Sequence, residues 1–290
     1  MILITGASGN AGGAVLREVL KSGNGVRAMV RSKEEGAKLS QGATAAIADF
    51  ADKQSLRRAL EGVDTVYLVC SPVQELVELE SNMIDACREA GVKHIVLNSA
   101  LGAGDFSKSF PSWHRKVEDK LKGSGMGYTI LRPNGFMQNL IAYFAASIRA
   151  QGAFYQSAGD AKISHLDLRD IAAAAARILR SPVQHAGKIY ELNGPEALSY
   201  AEVAEKISKA TGRKVQYVDI PPDAQRKALS DMGMPDFMIT ALLELQEYYA
   251  SGKASKVDGT LESLLDRAPT KMDDFLKESA DQFREQAAKA

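Results

Sequence analysis

Two periods of apolar spacing alternate along the first 133 residues. Short runs of consecutive apolar side chains, such as MILIT (1–5), GVRAMVR (25–31), DTVYLVCS (64–71), KHIVLNSA (93–100) and YTILRP (128–133), read as strands buried on both faces. Between them, AGGAVLREVLKSG (11–23), KQSLRRALEG (53–62), ELVELESNMIDACREAG (75–91) and KVEDKLKGSG (116–125) carry apolar residues at three- and four-residue intervals and end in glycine, the pattern of amphipathic helices. Strand and helix in alternation predict an α/β fold, a Rossmann-type doubly wound parallel sheet covered on both faces.

After Pro133 the rhythm loosens. NGFMQNLIAYFAASIRAQGAF (134–154) reads as an aromatic-rich helical segment, DLRDIAAAAARILRS (167–181) as a helix and GKIYELNG (187–194) as a strand that crosses back to complete the sheet. The last hundred residues, including SYAEVAEKISKATG, PPDAQRKALSDMG, FMITALLELQEYYASG and KMDDFLKESADQFREQ, read as mostly amphipathic helix. The expected division is a nucleotide-binding domain over 1–135 plus about 166–195, and a smaller, mostly helical domain over about 136–165 plus 196–290.

Composition narrows the function. With 36 basic and 36 acidic residues among 290, no net field favours nucleic acid or an anionic membrane, so the expected partner is a small molecule. Two cysteines, Cys70 and Cys87, are too few for a disulfide framework or a zinc site and read as packing residues in a reducing cytosol. MILIT has no basic segment before it and glycines interrupt it, so no signal peptide is expected and the expected location is cytoplasmic.

The candidate chemistry begins at TGASGNAGGAV (5–15), where Gly6, Gly9 and Gly12 recur at three-residue spacing between the first strand and the first helix. Glycines there permit a tight turn, let the backbone approach a pyrophosphate, and pack the helix closely on the strand. The helix N-terminus aims free N–H groups and its positive dipole end at the same place. Gly6, Ser8, Gly9, Asn10, Ala11 and Gly12 are therefore the expected phosphate cradle. In such units an acidic residue at the end of the second strand holds the ribose 2′-hydroxyl of NAD, whereas an arginine accommodates the 2′-phosphate of NADP. This chain has Arg31, with Lys33 close behind, so NADP(H) is expected in preference to NAD(H). The plainer alternative makes both cations a solvated strand end, with Glu34 or Glu35 reaching the ribose. Asp49 and Phe50, ending the third strand, and Ser71 and Pro72, closing YLVCSP, are expected along the cofactor, with Asn98 and Asn134 as further candidates.

The glycine pattern TGASGNAG, the strand VRAMVR, the segment VEDKLKGSGMGYTILRPNGFMQNL and the later SHLDLRDIA resemble the atypical short-chain dehydrogenases related to NmrA, and within them the quinone oxidoreductases and triphenylmethane-dye reductases. The likeness covers almost the whole chain. It implies a Rossmann-type domain with a small substrate domain over the nicotinamide, and either reduction of quinones or dyes or, alternatively, a regulator that senses NADP(H) without turning it over. Ordinary short-chain dehydrogenases carry Tyr-x-x-x-Lys shortly before the helical glutamate that corresponds here to Glu118. In FPSWHRKVE those positions hold Phe110 and His114, and Lys116 is preceded four residues earlier by Ser112, so the dyad is missing. Ser99 lies near the family's usual serine, and His114 is the remaining candidate for a catalytic or orienting role, as against an ordinary half-buried helix histidine. His94 and His185 read as structural or surface residues. Trp113, Phe136, Met137, Tyr143 and Phe144 are candidates for an aromatic acceptor pocket, as against helix core, with Asn139 adding a polar contact. His165 and Asp167 approach the same site by resemblance, while Asp170 is expected to cap the following helix.

A missing proton donor selects the acceptor. Reduction of a simple ketone leaves a strongly basic alkoxide and gains orders of magnitude from a positioned acid. Hydride addition to a quinone gives a resonance-stabilised phenolate, and addition to a cationic dye gives a neutral product. The expectation is an NADPH-dependent reductase of a small electron-poor aromatic molecule, acting as a monomer or homodimer, with no metal.

Overall fold

The computed structural model describes residues 1–23 and 25–284. In chain order its elements begin with β1 (Ile2–Ile4), α1 (Asn10–Leu20), β2 (Val26–Val30), α2 (Lys33–Ala37), β3 (Ala43–Ile47), α3 (Lys53–Leu60), β4 (Thr65–Leu68), α4 (Leu76–Glu89), β5 (His94–Asn98), α5 (Ser109–Lys122) and β6 (Gly127–Pro133). There follow α6 (Gln138–Gln151), β7 (Ala153–Gln156), α7 (Leu168–Arg180), β8 (Lys188–Leu192), α8 (Tyr200–Thr211), β9 (Gln216–Asp219), α9 (Pro222–Asp231), α10 (Asp236–Ala250), α11 (Thr260–Leu265) and α12 (Met272–Ser279). Residues Met1–Pro133 and Leu168–Leu192 form one compact unit, and Asn134–Asp167 with Asn193–Ala290 form a second.

The first unit is built on a seven-stranded sheet in the order β3-β2-β1-β4-β5-β6-β8 with every pairing parallel. The strands β1, β4 and β5 are buried along their whole length, which is why they read as unbroken apolar runs. Leu3, Val66, Leu68, Ile95 and Leu97 meet Leu56, Leu60, Met83 and Ile84 of α3 and α4 in one continuous core. On α7 Ala172, Ala174, Ala175 and Ala176 are buried, and this small-residue face lets it lie against α1. The strand order reverses between β1 and β4, which places the carboxyl ends of those strands at the topological switch point, the usual ligand position of such sheets.

The second unit is not wholly helical. β7 and β9 form a two-stranded parallel sheet, and Phe154 on β7 stacks on Phe144 of α6 at 4.7 Å while Tyr200 of α8 meets both rings edge-on. QYVD lies between two strong helical patterns and is too short for its own period to stand out. Three other readings are corrected. The third strand ends at Ile47, so Asp49 and Phe50 lie in the turn after it, where Asp49 accepts from the Ala51 amide at 2.8 Å. Helix α5 starts at Ser109, seven residues before the periodic stretch at Lys116, because apolar side chains on its first turns pack inward. Asp170 is the third residue of α7 and does not occupy the cap position; it sits in the first turn, where a carboxylate meets the positive end of the helix dipole. The end of the helix expected over KMDDFLKESADQFREQ lies outside the described residues, and α12 itself stops at Ser279.

One buried group runs against the core's interest. Glu80 of α4 is fully buried, and neither of its carboxyl oxygens has a well-formed hydrogen bond among the described residues. Burial pushes its pKa up to about 8, with the Cys70 amide offsetting only part of the shift. An unfolded chain ionises this group near 4.5 while the folded chain keeps the proton, so stability is lost as pH rises from about 4.5 to about 8 and levels off above. Glu80→Gln, which cannot ionise, is expected to match the parent at pH 4 and to be more stable by a few kcal/mol at pH 8, measured by urea unfolding at both pH values.

Candidate functional site

The turn after β1 is formed by glycine chemistry. Gly6 has φ of +58° and its carbonyl accepts the Gly9 amide at 2.9 Å, closing the turn. A Cβ on Gly12 would lie 2.3 Å from the carbonyl oxygens of both Thr5 and Gly6, so only glycine lets α1 approach β1 this closely. The Thr5 hydroxyl donates to the Val69 carbonyl at 2.9 Å and accepts the Val69 amide at 2.8 Å, tying the turn to the end of β4 across the switch point. Helix α1 starts from Gly9 with no side-chain cap and no acidic residue in its first turn. Its leading N–H groups thus face outward beside exposed Ser8, Gly9 and Asn10, with Ala11 half-buried behind them. The cradle fits a pyrophosphate: the residues leave space, donors and positive dipole, and place no carboxylate of α1 in the way.

Parallel pairing brings the other strand ends to the same edge of the sheet. Arg31 follows β2, Asp49 follows β3, Ser71 and Pro72 follow β4, and Asn98 ends β5. The Arg31 guanidinium is largely exposed and Lys33 is exposed. Glu35, one of the two alternative ribose contacts, is at the centre: its Oε2 accepts the Arg31 amide at 2.9 Å and the Ser8 hydroxyl at 3.3 Å, and its Oε1 lies 3.4 Å from Arg31 Nη2. The signal available in the sequence is its place four residues after Arg31. Phe50 is half-buried and packs on the sheet core, and Asn98 Oδ1 is buried, accepting from the Tyr67 hydroxyl at 3.2 Å.

At the dyad position the structure offers no acid. Phe110 packs edge-on against Trp113 at 5.1 Å, and Trp113 lies on the core of the first unit, apart from the other aromatic candidates in sequence and unit. The His114 Nδ1 is buried with no hydrogen-bond partner among the described residues, and burial lowers its pKa to about 4 against an opposing pull from Glu118, so the ring is neutral at physiological pH. Ser99 is committed elsewhere: its hydroxyl donates to Glu118 Oε1 at 2.7 Å. Arg132 clasps the same carboxylate through Nε at 2.9 Å and Nη2 at 2.7 Å. Burial alone would raise Glu118, but the hydrogen bonds from Arg132 and Ser99 more than reverse this and hold it below its ordinary range. This Ser99–Glu118–Arg132 cluster joins β5, α5 and β6 and reads as scaffold.

In the second unit, Asn134 is fully occupied. Its Nδ2 donates to Asn193 Oδ1 at 3.1 Å and to the Ala254 carbonyl at 2.8 Å, while its Oδ1 accepts the Gly135 amide at 2.8 Å. Both polar atoms of the side chain have protein partners. Phe136 is half-buried and bridges to Leu166, Met137 is buried at 1% exposure, Asn139 is half-buried on α6, and Tyr143 is exposed. His165 is buried, its Nδ1 has no partner among the described residues, and burial lowers its pKa to about 4 against an opposing hydrogen bond with the Ile163 backbone. A Cβ on Gly135 would meet the His165 ring at 3.1 Å and the Tyr249 hydroxyl at 3.2 Å, so glycine permits these two side chains to converge on the backbone next to Phe136. Tyr249 also lines an open cavity of about 940 Å³ within this unit, together with Gly159, Lys162, Asp219 and Ser255. The structural histidines are His94, bonded to Thr129 at 2.9 Å, and His185, bonded to Tyr190 at 2.8 Å.

The NmrA-like family model matches residues 1–276. The chain belongs to the NmrA-like family. It is 36% identical to an NAD(P)H azoreductase of Xenophilus azovorans over 266 residues, 91% of each chain. An NADPH-dependent quinone oxidoreductase from Escherichia coli, solved in complex with NADPH, superimposes with a TM-score of 0.88 at 32% identity, covering 97% of this chain and 99% of that one. A triphenylmethane reductase of a Citrobacter species, complexed with NADP(H), gives a TM-score of 0.85 at 25% identity over 96% of this chain and all of its own. Like these relatives, the chain is an oxidoreductase. Among the described residues no helix is long and apolar enough to cross a membrane, and no group of three or more His, Cys, Asp or Glu side chains could hold a metal ion.

The cradle yields a direct test. Gly9→Val puts a branched side chain where Cβ already meets the Gly6 carbonyl at 3.3 Å. It is expected to weaken NADPH binding at least roughly a hundredfold while circular dichroism stays that of the parent, since Gly9 is exposed and its loss blocks phosphate approach without opening the core. Wild-type affinity in a folded variant would place the phosphates elsewhere.

Proposed function

We propose that this chain is an NADPH-dependent reductase that transfers hydride to quinones or similar electron-poor aromatic acceptors, including dyes. The observation that carries the reading is the pairing of an open glycine cradle with a dyad position held by Phe110 and a neutral His114. Bound NADPH supplies the hydride. The chain's own residues bind and orient: the turn Gly6–Gly9 and the leading amides of α1 take the pyrophosphate, and Arg31 with Lys33 takes the 2′-phosphate, which favours NADPH over NADH. Ser71 and Pro72 flank the cofactor farther along the sheet edge. Since a phenolate or a neutral dye product requires no enzymatic acid, a positioned aromatic wall suffices, and Phe136 with the converging His165 and Tyr249 supports that role. The relatives' names carry the same acceptor classes: azo compounds, quinones and triphenylmethanes. Two free cysteines fit work in the reducing cytoplasm.

Purified protein with NADPH and a panel of quinones, azo dyes and cationic triarylmethanes, followed by nicotinamide absorbance, tests the reading; cofactor bound but never oxidised with any of them would refute it. In the same assay His114→Ala is expected to lower kcat by less than roughly tenfold, the loss of an orienting contact, whereas removal of a proton donor would cost about 10²–10⁴-fold. Arg31→Ala is expected to weaken NADPH by roughly ten- to a hundredfold and to leave NADH within a few-fold, read by fluorescence titration. Equal losses for both nucleotides would move the phosphate contact off Arg31.

A further inference from the structure

The end of β2 holds a cation and an anion where dinucleotide sites ordinarily present one or the other. Ser32 caps α2 by accepting the Glu35 amide at 3.2 Å, which makes Glu35 the third residue of that helix. In the usual capping box the side chain at this position returns to the amide of the cap residue. Here it reaches one residue further back, to the Arg31 amide at 2.9 Å, and so lies over the end of the strand. Its second contact, to Ser8 at 3.3 Å, joins it to the turn between Gly6 and Gly9. The carboxylate is only a quarter exposed, while the guanidinium beside it is three-quarters exposed. Hydrogen bonding from the Arg31 amide, reinforced by the guanidinium charge and Ser8, holds Glu35 below its ordinary range, so it is ionised at neutral pH.

We propose that Glu35 sets the nucleotide preference of this site, accepting the ribose 2′-hydroxyl of NADH and competing with the 2′-phosphate of NADPH for Arg31 and Ser8. The inference rests on the assignment of the cradle to a nicotinamide dinucleotide. A ribose hydroxyl beside Glu35 gains a charge-assisted hydrogen bond, and the carboxylate need not move. A 2′-phosphate in the same place needs the Arg31 guanidinium, the Ser8 hydroxyl and the Arg31 amide, all three of which already serve Glu35. It also brings a second anion against a partly desolvated carboxylate, so NADPH binds with Glu35 turned out toward solvent. Arg31 thus favours NADPH, and Glu35 limits the margin and keeps NADH usable.

The test is titration of NADPH and NADH, without acceptor, into the parent protein, Glu35→Gln and Glu34→Gln. Glu34 is the exposed neighbour on the same helix and controls for loss of one negative charge. Glu35→Gln is expected to tighten NADPH roughly tenfold and to weaken NADH by a similar factor. Glu34→Gln is expected to leave the ratio of the two affinities within about twofold. Glu35→Asp, which keeps the charge but withdraws it from Arg31, shifts the ratio the same way by less and serves should the glutamine variant fold poorly. An unchanged ratio in Glu35→Gln and Glu35→Asp, or an equal shift in Glu34→Gln, overturns the proposal. Failure of the parent to bind either nucleotide would instead refute the cofactor assignment, which separates the two claims.

Discussion

A Cβ on Gly12 would sit 2.3 Å from two backbone carbonyl oxygens, those of Thr5 and Gly6, and that closeness sets the geometry of the nucleotide end of the molecule. Because α1 can lie directly on the end of β1, its first-turn amides emerge beside the tight turn at Gly6 and Gly9. Thr5 bonds both ways to Val69, fixing the turn at the place where the strand order reverses. Parallel pairing then delivers Arg31, Asp49, Ser71 and Asn98 to the same edge.

The first unit keeps its polar groups in two different ways. Glu118 is buried but satisfied, held by Arg132 and Ser99 so that three elements are locked together. Removing one partner from such a group leaves an uncompensated charge, typically a loss of about 3–5 kcal/mol. Glu80 is buried without that support, and it retains its proton instead. The same physics makes His114 and His165 neutral, since desolvation penalises the imidazolium and no nearby carboxylate outweighs it.

Much of this was legible in the residues. The alternation of buried strands and amphipathic helices gives the doubly wound sheet, and the spacing of Gly6, Gly9 and Gly12 locates the cradle, because both depend on local steric rules. Side-chain commitment is not local. Ser99 and Asn134 look available in sequence, yet Ser99 is bound to Glu118 nineteen residues away and Asn134 to Ala254 across 120 residues. Glu35 illustrates the reverse: the sequence offers Glu34 and Glu35 equally as alternative ribose contacts, and only folding, which brings Ser8 against Glu35, distinguishes the two. The pairing of β7 with β9 is likewise tertiary, made by contacts some sixty residues apart that no short window records.

The central claim is that this site works by position, with no side chain donating a proton in the reaction. The most direct measurement is the pH dependence of kcat for quinone reduction at saturating NADPH between pH 5.5 and 7.5. His114 and His165 are held near 4, and Glu80 near 8, so none of these three buried groups titrates across most of that window. The account predicts a kcat that varies by less than about threefold over it. A limb with an apparent pKa between 6 and 7 that vanishes in His114→Ala would contradict the account and make His114 an acid in the reaction.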